Sequence, residues 1–362
     1  MRSNAMADAA RTDRPGLPPL SPEVLADGRV TFRIHAPAAR EVLVWGEWEG
    51  HEVPLTRDED GVWFATIGPL VPDLYGYGFR VDGLSLPDPG NTWMKPMRSP
   101  TTSVLEVPGR GDLPHDFRDV AHGDLRLLTY RSGALGRLRR LRVYSPPGYD
   151  DSAGRYPVLY LLHGAGDNEA TWTDLGRAHL IADNLIASGA AKPLIIVMTD
   201  GHAYVEREWS PEGRRRNIDS LRRDLIEDVI PLVEGRFRAC GERSNRAIAG
   251  LSMGGGQAVS IGLNHLELFS HVAGFSSYVG PPREAVAAAL DAPEAVNAAL
   301  SCFWLAIGED DFLLDDAEAF HQELRSVGIE HHYRITSGDH SWRVWRRYLA
   351  QLLPLLFVEG PA

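Results

Sequence analysis

The sequence predicts an α/β protein in which an all-β sandwich precedes a larger domain built on a mostly parallel sheet. Residues 22–108 contain short runs of alternating apolar and polar residues with no helical pattern between them. From residue 157 onward, continuous apolar runs of strand length alternate with amphipathic helical patterns. Repeated strand and helix units of this kind form a parallel sheet with helices on both faces.

The N-terminal strands are short and regularly spaced. The run Val30 to Ile34 alternates apolar and polar residues, and an acidic turn at residues 58–61 precedes another such run, which is typical of a hairpin. Short strands at this spacing predict an Ig-like β-sandwich. Residues 86–100 are expected to form a surface loop, and the strands are expected at 30–34, 41–45, 61–67, 74–83 and 101–107.

Aromatic residues are frequent in this segment and could either pack in a core or bind sugar rings. Their positions within strands favour core packing for Trp63, Tyr75 and Tyr77. Neighbouring glycines or a loop position make three tryptophans better candidates for an exposed sugar-binding surface: Trp45, Trp48 and Trp93.

The domain boundaries follow changes in composition. Residues 1–19 are expected to be a disordered N-terminus or a cloning scar, 20–108 the sandwich, 109–122 a linker containing Gly and Pro, and 123–362 the α/β domain. No apolar signal segment occurs near the N-terminus. The sequence as it stands therefore indicates a cytoplasmic protein, or a secreted one if a signal peptide has been removed.

Composition excludes several classes of function. The chain has 362 residues, and its formal net charge of -12 argues against a nucleic-acid partner. No apolar run is long enough to span a membrane, so no membrane association is expected. The two cysteines, Cys240 and Cys302, each lie beside an apparent core strand and are expected to be free thiols. No metal-binding motif occurs, and neither a metal nor an organic cofactor is expected.

The α/β domain begins with two strands at 123–129 and 138–145, after which strands and helices alternate. Apolar runs predict strands at 157–162, 193–198, 247–251, 272–277, 302–308 and 331–336. Helical periodicity predicts helices at 175–188, 221–237, 257–263, 283–299, 315–327 and 342–357. The stretch 200–218 is expected to be a long irregular loop, which could form a lid or a substrate wall.

The stretch Ala247 to Gly256 carries the strongest indication of chemistry. It places the pattern Gly-x-Ser-x-Gly between the end of a strand and the start of a helix. Gly250 and Gly254 leave no Cβ where the strand and the helix crowd each other, so that Ser252 can sit on a sharp turn. This layout predicts Ser252 as a nucleophile; the alternative is a glycine-rich helix entry whose serine only caps the helix.

A serine nucleophile needs a base to take its proton and an acid to orient that base. In this architecture the acid follows the serine in the chain and leaves a later strand. Asp311 follows the strand 302–308 and is predicted as the acid, because Phe312 and Leu313 would hold it against the core. Asp310 is the second candidate, and a purely acidic loop with a helix cap is the alternative to both.

The base and the oxyanion hole are predicted by the same rule of order. His340 lies in a glycine-containing turn after the last strand and is predicted as the general base, rather than a solvated loop side chain. The N–H of Met253, directly after the serine, is predicted as one oxyanion donor. The loop after strand 157–162 would supply the second donor, at Gly164 or Ala165.

Substrate-binding residues are less well indicated. His163 precedes the oxyanion loop, and three tryptophans lie near the predicted site: Trp172, Trp209 and Trp342. Each is a candidate to contact substrate. Core packing explains Trp172 and Trp342 equally well, and an ordinary strand-to-helix turn would explain His163.

Four segments of the chain resemble carbohydrate esterase family one. They read NRAIAGLSMGGGQAV, LYLLHGAGDNEATW, IGEDDFLL and GDHSWRVWRRYL. The resemblance covers roughly residues 119–357 and implies an α/β-hydrolase fold, with Ser252 as nucleophile, Asp311 as acid and His340 as base. This family includes feruloyl and acetylxylan esterases, and enterochelin esterases are more distant relatives.

The N-terminal segment carries a second resemblance. Its loop LPDPGNTW is similar to one in the glycogen-binding-type module of family forty-eight, an Ig-like carbohydrate-binding module that often precedes these esterases. Together the two resemblances imply a serine carboxylester hydrolase that releases feruloyl, cinnamoyl or acetyl groups from plant polysaccharide esters through an acyl-enzyme. The expected partner is a small-molecule or oligosaccharide ester.

Two alternatives remain at this point. The first is an enterochelin-type siderophore trilactone esterase, and the second is a non-catalytic carbohydrate-binding protein.

Overall fold

The computed structural model describes residues 19–203 and 210–358, apart from the side chains of residues 282 and 283. The predicted disordered N-terminus, up to residue 18, and Trp209 lie outside the described residues. The chain divides between Leu113 and Pro114 into two units, which are described separately. This point falls inside the segment predicted as a linker, 109–122.

The N-terminal unit is an all-β sandwich, as predicted. Its described strands pair only in antiparallel fashion and form two sheets, with orders β1-β2-β6-β5 and β4-β3-β7-β8, and β9 also pairs with β7. The strands are β1 Glu23–Val24, β2 Val30–His35, β3 Val42–Gly46, β4 Glu52–Pro54, β5 Thr56–Arg57, β6 Val62–Ile67, β7 Asp73–Val81, β8 Leu84–Leu86 and β9 Ser103–Val107.

The sandwich core is rich in aromatic rings. Trp63, Tyr75 and Tyr77 are buried, in agreement with their predicted core role. Trp48 is only 4% exposed, so its prediction as a surface residue is wrong. The reason is Gly46, because a Cβ there would come within 3.0 Å of the Trp48 ring and prevent the indole from lying over the strand. The other two surface candidates, Trp45 and Trp93, are half-buried.

The second unit contains an eight-stranded mixed sheet in its described residues, and this confirms the predicted α/β class. The strand order is β10-β11-β13-β12-β14-β15-β16-β17. Strands β11 and β13 pair in antiparallel fashion, whereas all pairs from β13 to β17 are parallel. The strands are β10 Asp124–Ser132, β11 Arg137–Ser145, β12 Val158–Leu162, β13 Ile195–Thr199, β14 Arg246–Leu251, β15 His271–Phe275, β16 Cys302–Gly308 and β17 His332–Thr336.

Helices connect these parallel strands. The α-helices are α1 Thr171–Asp174, α2 Ala178–Ala187, α3 Pro211–Arg223, α4 Ile230–Arg236, α5 Ser252–Asn264, α6 Pro282–Ala285, α7 Ala287–Asp291, α8 Pro293–Ala299, α9 Leu314–Val327 and α10 Trp342–Leu352. A π-helical turn, Asp224–Val229, joins α3 to α4, and short 3₁₀ helices lie at Arg243–Asn245 and Leu353–Leu355. None of the helices in the described part of the chain is long and apolar enough to cross a membrane.

Two predicted elements differ from the structure. The stretch 200–218 was predicted as an irregular loop, but α3 begins at Pro211 and continues through the π-helical turn into α4. Ser210 accepts a hydrogen bond from the N–H of Gly213, and proline at the first helical position lacks an N–H that would otherwise be unpaired. The single helix predicted over 283–299 is instead three short helices, interrupted at Val286 and Ala292.

The sheet topology brings two chain segments together at one point. From β12 the chain crosses to β13 on one side, whereas β14 pairs with β12 on the other side. In parallel sheets a ligand site forms where the strand order reverses, outside the carboxyl ends of the strands. Here Leu162 lies opposite Gly250, so the loop after β12 and the turn after β14 leave the sheet side by side.

Both cysteines are free thiols, in agreement with the expectation. Cys302 is buried in β16, and burial raises the pKa of its thiol to about 11.

His271 at the start of β15 is a buried imidazole whose hydrogen bonds require the neutral ring. The N–H of Phe357 donates to its Nε2 at 3.1 Å, so the ring hydrogen is on Nδ1 and faces the Ser270 hydroxyl at 2.7 Å. That hydroxyl in turn donates to the carbonyl of Arg243. Burial, and to a smaller degree the charge of Arg243, lower the pKa of His271 from 6.5 to about 4.

Acid is therefore expected to destabilise this unit through His271. Well above pH 6.5 the His271 ring is neutral in both the folded and the unfolded chain, and its contribution to stability is complete. As the pH falls toward 4, His271 becomes protonated in the unfolded chain but stays largely neutral in the folded chain. This difference lowers the free energy of unfolding by on the order of 3 kcal/mol. We expect His271→Gln to show a shallower loss between pH 7 and pH 4 in urea unfolding.

His332→Gln, a substitution at an exposed histidine of β17, serves as the control for the loss of a histidine. If the free energy of unfolding fell equally steeply with pH in wild type and in His271→Gln, the lowered pKa assigned to His271 would be contradicted.

Candidate active site

Ser252 occupies a strained turn at the junction of β14 and α5. Its φ is 52°, in the left-handed region that residues other than glycine rarely adopt. The turn exists because both flanking glycines lack a Cβ. A Cβ on Gly250 would come within 3.0 Å of the Gly254 backbone, and one on Gly254 within 3.0 Å of the carbonyl of His163. The strain holds the serine hydroxyl at the carboxyl edge of the sheet.

Hydrogen bonds link Ser252 to the other two residues predicted to act with it. His340 Nε2 lies 3.0 Å from the hydroxyl oxygen of Ser252. On the other side of the ring, Nδ1 lies 2.9 Å and 3.0 Å from the two carboxylate oxygens of Asp311. With Asp311 ionised, Nδ1 donates to the carboxylate and Nε2 is left to accept the serine proton.

Asp311 is the carboxylate that the structure brings to His340. Burial opposes its ionisation, but hydrogen bonds and charge interaction with His340 and the N–H of Leu313 hold the pKa of Asp311 below its usual value. Its side chain is fully buried, which keeps the imidazole partner fixed. Asp310 is exposed, and its backbone N–H donates to the Gly338 carbonyl. The geometry therefore favours Asp311 over Asp310, and the roles themselves remain predictions.

Of the two residues predicted to hold Asp311 against the core, only Leu313 is buried. Leu313 is buried, as expected, but Phe312 is 76% exposed and does not hold the loop against the core. Its ring lies instead against the His340 ring, with 4.4 Å between centroids. The buried Trp345 contacts the same imidazole edge to face at 4.9 Å. His340 thus contacts both a buried and an exposed aromatic ring, an arrangement that the sequence did not indicate.

The predicted oxyanion hole lies between two segments that the sheet places together. Met253 lies in the first turn of α5, where backbone N–H groups have no partner within the helix. Gly164 lies against the serine turn, since a Cβ on it would be 3.6 Å from the Ser252 Cβ. Ala165 follows at an exposed position of the same loop. The proximity of both segments suits backbone donation to one substrate oxygen.

Hydrogen bonds between this loop and the segment after β13, here called the clamp, hold the loop in place. The N–H of Gly201 donates to His163 Nε2 at 2.8 Å, and His163 Nδ1 then donates to the Gly164 carbonyl at 2.8 Å. The N–H of Gly166 donates to His202 Nε2 at 3.0 Å. His163 is only 1% exposed, so its surroundings favour a role in positioning the loop rather than in contacting substrate.

Buried polar side chains from other elements hold the backbone of the segment after β13. Gln257 of α5 donates to the Gly201 carbonyl at 2.9 Å. Arg139 of β11 donates to the Asp200 carbonyl and lies 3.4 Å from the buried carboxylate of Asp224. No pattern in the sequence links positions so far apart in the chain; the pairing of β13 with both β12 and β11 helps to bring them together.

The predicted substrate-binding tryptophans lie in the core where they are described. Trp172 and Trp342 are 1% and 0% exposed and pack edge to face at 5.0 Å. The indole N–H of Trp172 donates to the Leu162 carbonyl at 3.0 Å. Both positions fit the core-packing alternative and leave no surface for substrate. Trp209 lies outside the described residues.

Among residues 19–203 and 210–358, no group of three or more His, Cys, Asp or Glu side chains is placed to hold a metal ion.

Comparison with known proteins adds to this geometry. Residues 132–356 match the model of the Esterase family, and residues 19–98 match carbohydrate-binding module 48, the isoamylase N-terminal domain. An endo-1,4-beta-xylanase/feruloyl esterase of Xylanibacter ruminicola is 32% identical over 348 residues, which are 93% of this chain. The chain spans only 46% of the length of that relative.

Solved structures with the same fold include two kinds of esterase. A ferulic acid esterase is 28% identical and superposes with a TM-score of 0.58 over 66% of this chain and 98% of its own. The enterobactin esterase of Shigella flexneri superposes with a TM-score of 0.69 over 91% of this chain and 93% of its own. At 19% identity, the second likeness shows the fold alone.

The position of Asp311 generates a direct test of the two acid candidates. We expect Asp311→Asn to lower kcat for an activated ester by on the order of 10³- to 10⁴-fold, because the amide cannot hold His340 in the required tautomer. Asp310→Asn, the same change one position earlier, is expected to keep activity close to wild type. Steady-state hydrolysis of p-nitrophenyl acetate measures both, and the opposite ranking of the two variants would make Asp310 the acid.

Proposed function

The chain belongs to the Esterase family, and from this we propose that it is a serine carboxylester hydrolase acting through an acyl-enzyme. The observation that carries the proposal is the continuous hydrogen-bond relay from Asp311 through His340 to Ser252. A buried acid, an imidazole and a strained serine in this order form the arrangement that activates a serine hydroxyl.

In the first half of the reaction, Ser252 Oγ attacks the ester carbonyl carbon while His340 Nε2 takes the hydroxyl proton. The carbonyl oxygen becomes an oxyanion, which the N–H groups of Met253 and of Gly164 or Ala165 stabilise. The carbon–oxygen bond to the alcohol then breaks, and His340 delivers its proton to the departing oxygen. Asp311 stabilises the imidazolium that exists between these two proton transfers.

In the second half, a water molecule replaces the alcohol. His340 takes a proton from the water, whose oxygen attacks the acyl carbon. The bond from that carbon to Ser252 Oγ breaks, and His340 returns the proton to the serine. The products are one carboxylic acid and one alcohol, and the enzyme is restored.

For the substrate, we propose hydroxycinnamoyl esters of plant polysaccharides, with feruloyl esters first and acetyl esters second. The support is the similarity to the xylanase/feruloyl esterase, which runs through both units of this chain at 32% identity. The likeness to a solved ferulic acid esterase points in the same direction. A carbohydrate-binding-module-like unit in the same chain fits a polysaccharide-linked substrate.

The siderophore alternative has a specific observation in its favour. The enterobactin esterase structure matches both units of the chain, because it covers 91% of it. Its 19% identity supports a shared architecture, whereas the xylanase/feruloyl esterase is more similar in sequence, at 32% identity over 93% of the chain. The non-catalytic alternative is disfavoured, since a binding protein has no need of a strained serine paired with a histidine and a buried acid.

Substrate comparison with a nucleophile variant tests the proposal. We expect wild type to hydrolyse methyl ferulate with a higher kcat/KM than ferric enterobactin, and Ser252→Ala to lose at least about 10⁴-fold of kcat on methyl ferulate. Ser260→Ala, on the same helix but directed to the Ala285 carbonyl, is the matched control and should keep wild-type activity.

Two outcomes would contradict the proposal, one for the nucleophile and one for the substrate. Equal turnover by wild type and Ser252→Ala would show that another residue is the nucleophile. Cleavage of ferric enterobactin without any release of feruloyl, cinnamoyl or acetyl groups would favour the siderophore alternative.

A further inference from the structure

Phe312 is a large apolar side chain that is not buried in the core. It directly follows Asp311, yet its exposed fraction of 76% is the highest among the exposed large hydrophobic residues that the structure describes. The next residue, Leu313, is buried at 8% exposure, so the loop could have turned the larger ring inward. Because a ring this exposed buries little apolar surface, it adds little to the stability of the fold. Its exposure is better explained by a role in binding a ligand.

The position of the Phe312 ring beside His340 indicates which part of a substrate the ring could bind. The Phe312 ring lies 4.4 Å from the His340 ring, and the partly exposed His340 presents Nε2 to Ser252 at 3.0 Å. Nε2 must also reach the oxygen of the departing alcohol, because it delivers the proton there. The alcohol part of the ester therefore lies beside His340, the residue whose ring Phe312 contacts.

We infer that Phe312 is the platform on which the sugar ring of the leaving alcohol stacks. A sugar offers a face of C–H groups, and an exposed aromatic ring covers such a face without needing a hydrogen-bond partner. The acyl group, which leaves the carbonyl carbon in the other direction, makes no use of this platform. The inference rests on the proposed function and adds the residue that distinguishes a sugar ester from a simple alkyl ester.

A purely structural role for Phe312 predicts something different. If the ring only held His340 in place, its removal would slow every ester by the same factor, whatever the alcohol. The two roles therefore separate when two esters share an acyl group and differ in the alcohol alone.

Phe117 offers a closely matched control. It is 75% exposed, and its ring stacks on His122 at 4.8 Å, so it repeats both the exposure and the histidine contact of Phe312. His122 shortly precedes β10, whose first residue pairs with Ser145, next to the start of β13. The control pair therefore lies at the amino ends of the parallel strands, opposite the edge that carries Ser252.

The experiment measures kcat/KM for methyl ferulate and for 5-O-feruloyl-arabinose in wild type, Phe312→Ala, Phe312→Trp and Phe117→Ala. We expect Phe312→Ala to lower the ratio of the sugar ester to the methyl ester about tenfold, as loss of one stacked ring would. Phe312→Trp, which keeps an aromatic face, should retain the ratio. Phe117→Ala should match wild type on both esters, and thermal unfolding should show every variant folded.

An unchanged ratio in Phe312→Ala, with both rates lowered equally or neither lowered, would overturn the inference. A wild-type enzyme that hydrolyses neither ester would instead refute the proposed function, because that result does not depend on Phe312.

Discussion

The close approach of two backbones at the centre of the sheet is the constraint on which the site depends. The carbonyls of Leu162 and His163, at the end of β12, come so near to α5 that only glycine fits at position 254. That contact forces the chain after β14 into the turn where Ser252 has a φ of 52°. It also sets the loop at Gly164 against the serine. The predicted nucleophile and oxyanion donors are therefore positioned by one packing constraint rather than by separate ones.

Polar groups in the interior support this arrangement from both sides. On one side, buried Asp311 and the ring of Trp345 hold His340 toward the serine. On the other, His163 accepts a hydrogen bond from the Gly201 N–H after β13, and His202 accepts one from the Gly166 N–H of the oxyanion loop. Buried polar groups are costly when unpaired, so each partner stabilises the position of the other. Rigid support of this kind suits a site that must present fixed dipoles to a developing charge.

Much of the fold and of the candidate site was predictable from the sequence, and the same physical reasons explain which predictions were wrong. Parallel strands are buried on both faces, so Cys302–Gly308 stood out as an apolar run, and the order of Ser252, Asp311 and His340 followed from the topology. Helix α3 was missed because its residues are mostly polar, although Ser210 followed by proline marks a helix start. The clamp between His163 and Gly201 needs knowledge of strand neighbours, which no local pattern contains. The exposure of Phe312 is likewise a property of the folded loop.

Covalent labelling tests the central claim, that Ser252 is the activated nucleophile, most directly. The protein would be incubated with diethyl p-nitrophenyl phosphate, digested, and the labelled peptide sequenced by mass spectrometry. The account predicts one diethylphosphoryl group per chain on Ser252, with ester hydrolysis lost in proportion to labelling and no labelling in His340→Ala. Labelling of a different residue, or full hydrolytic activity with Ser252 completely modified, would contradict it.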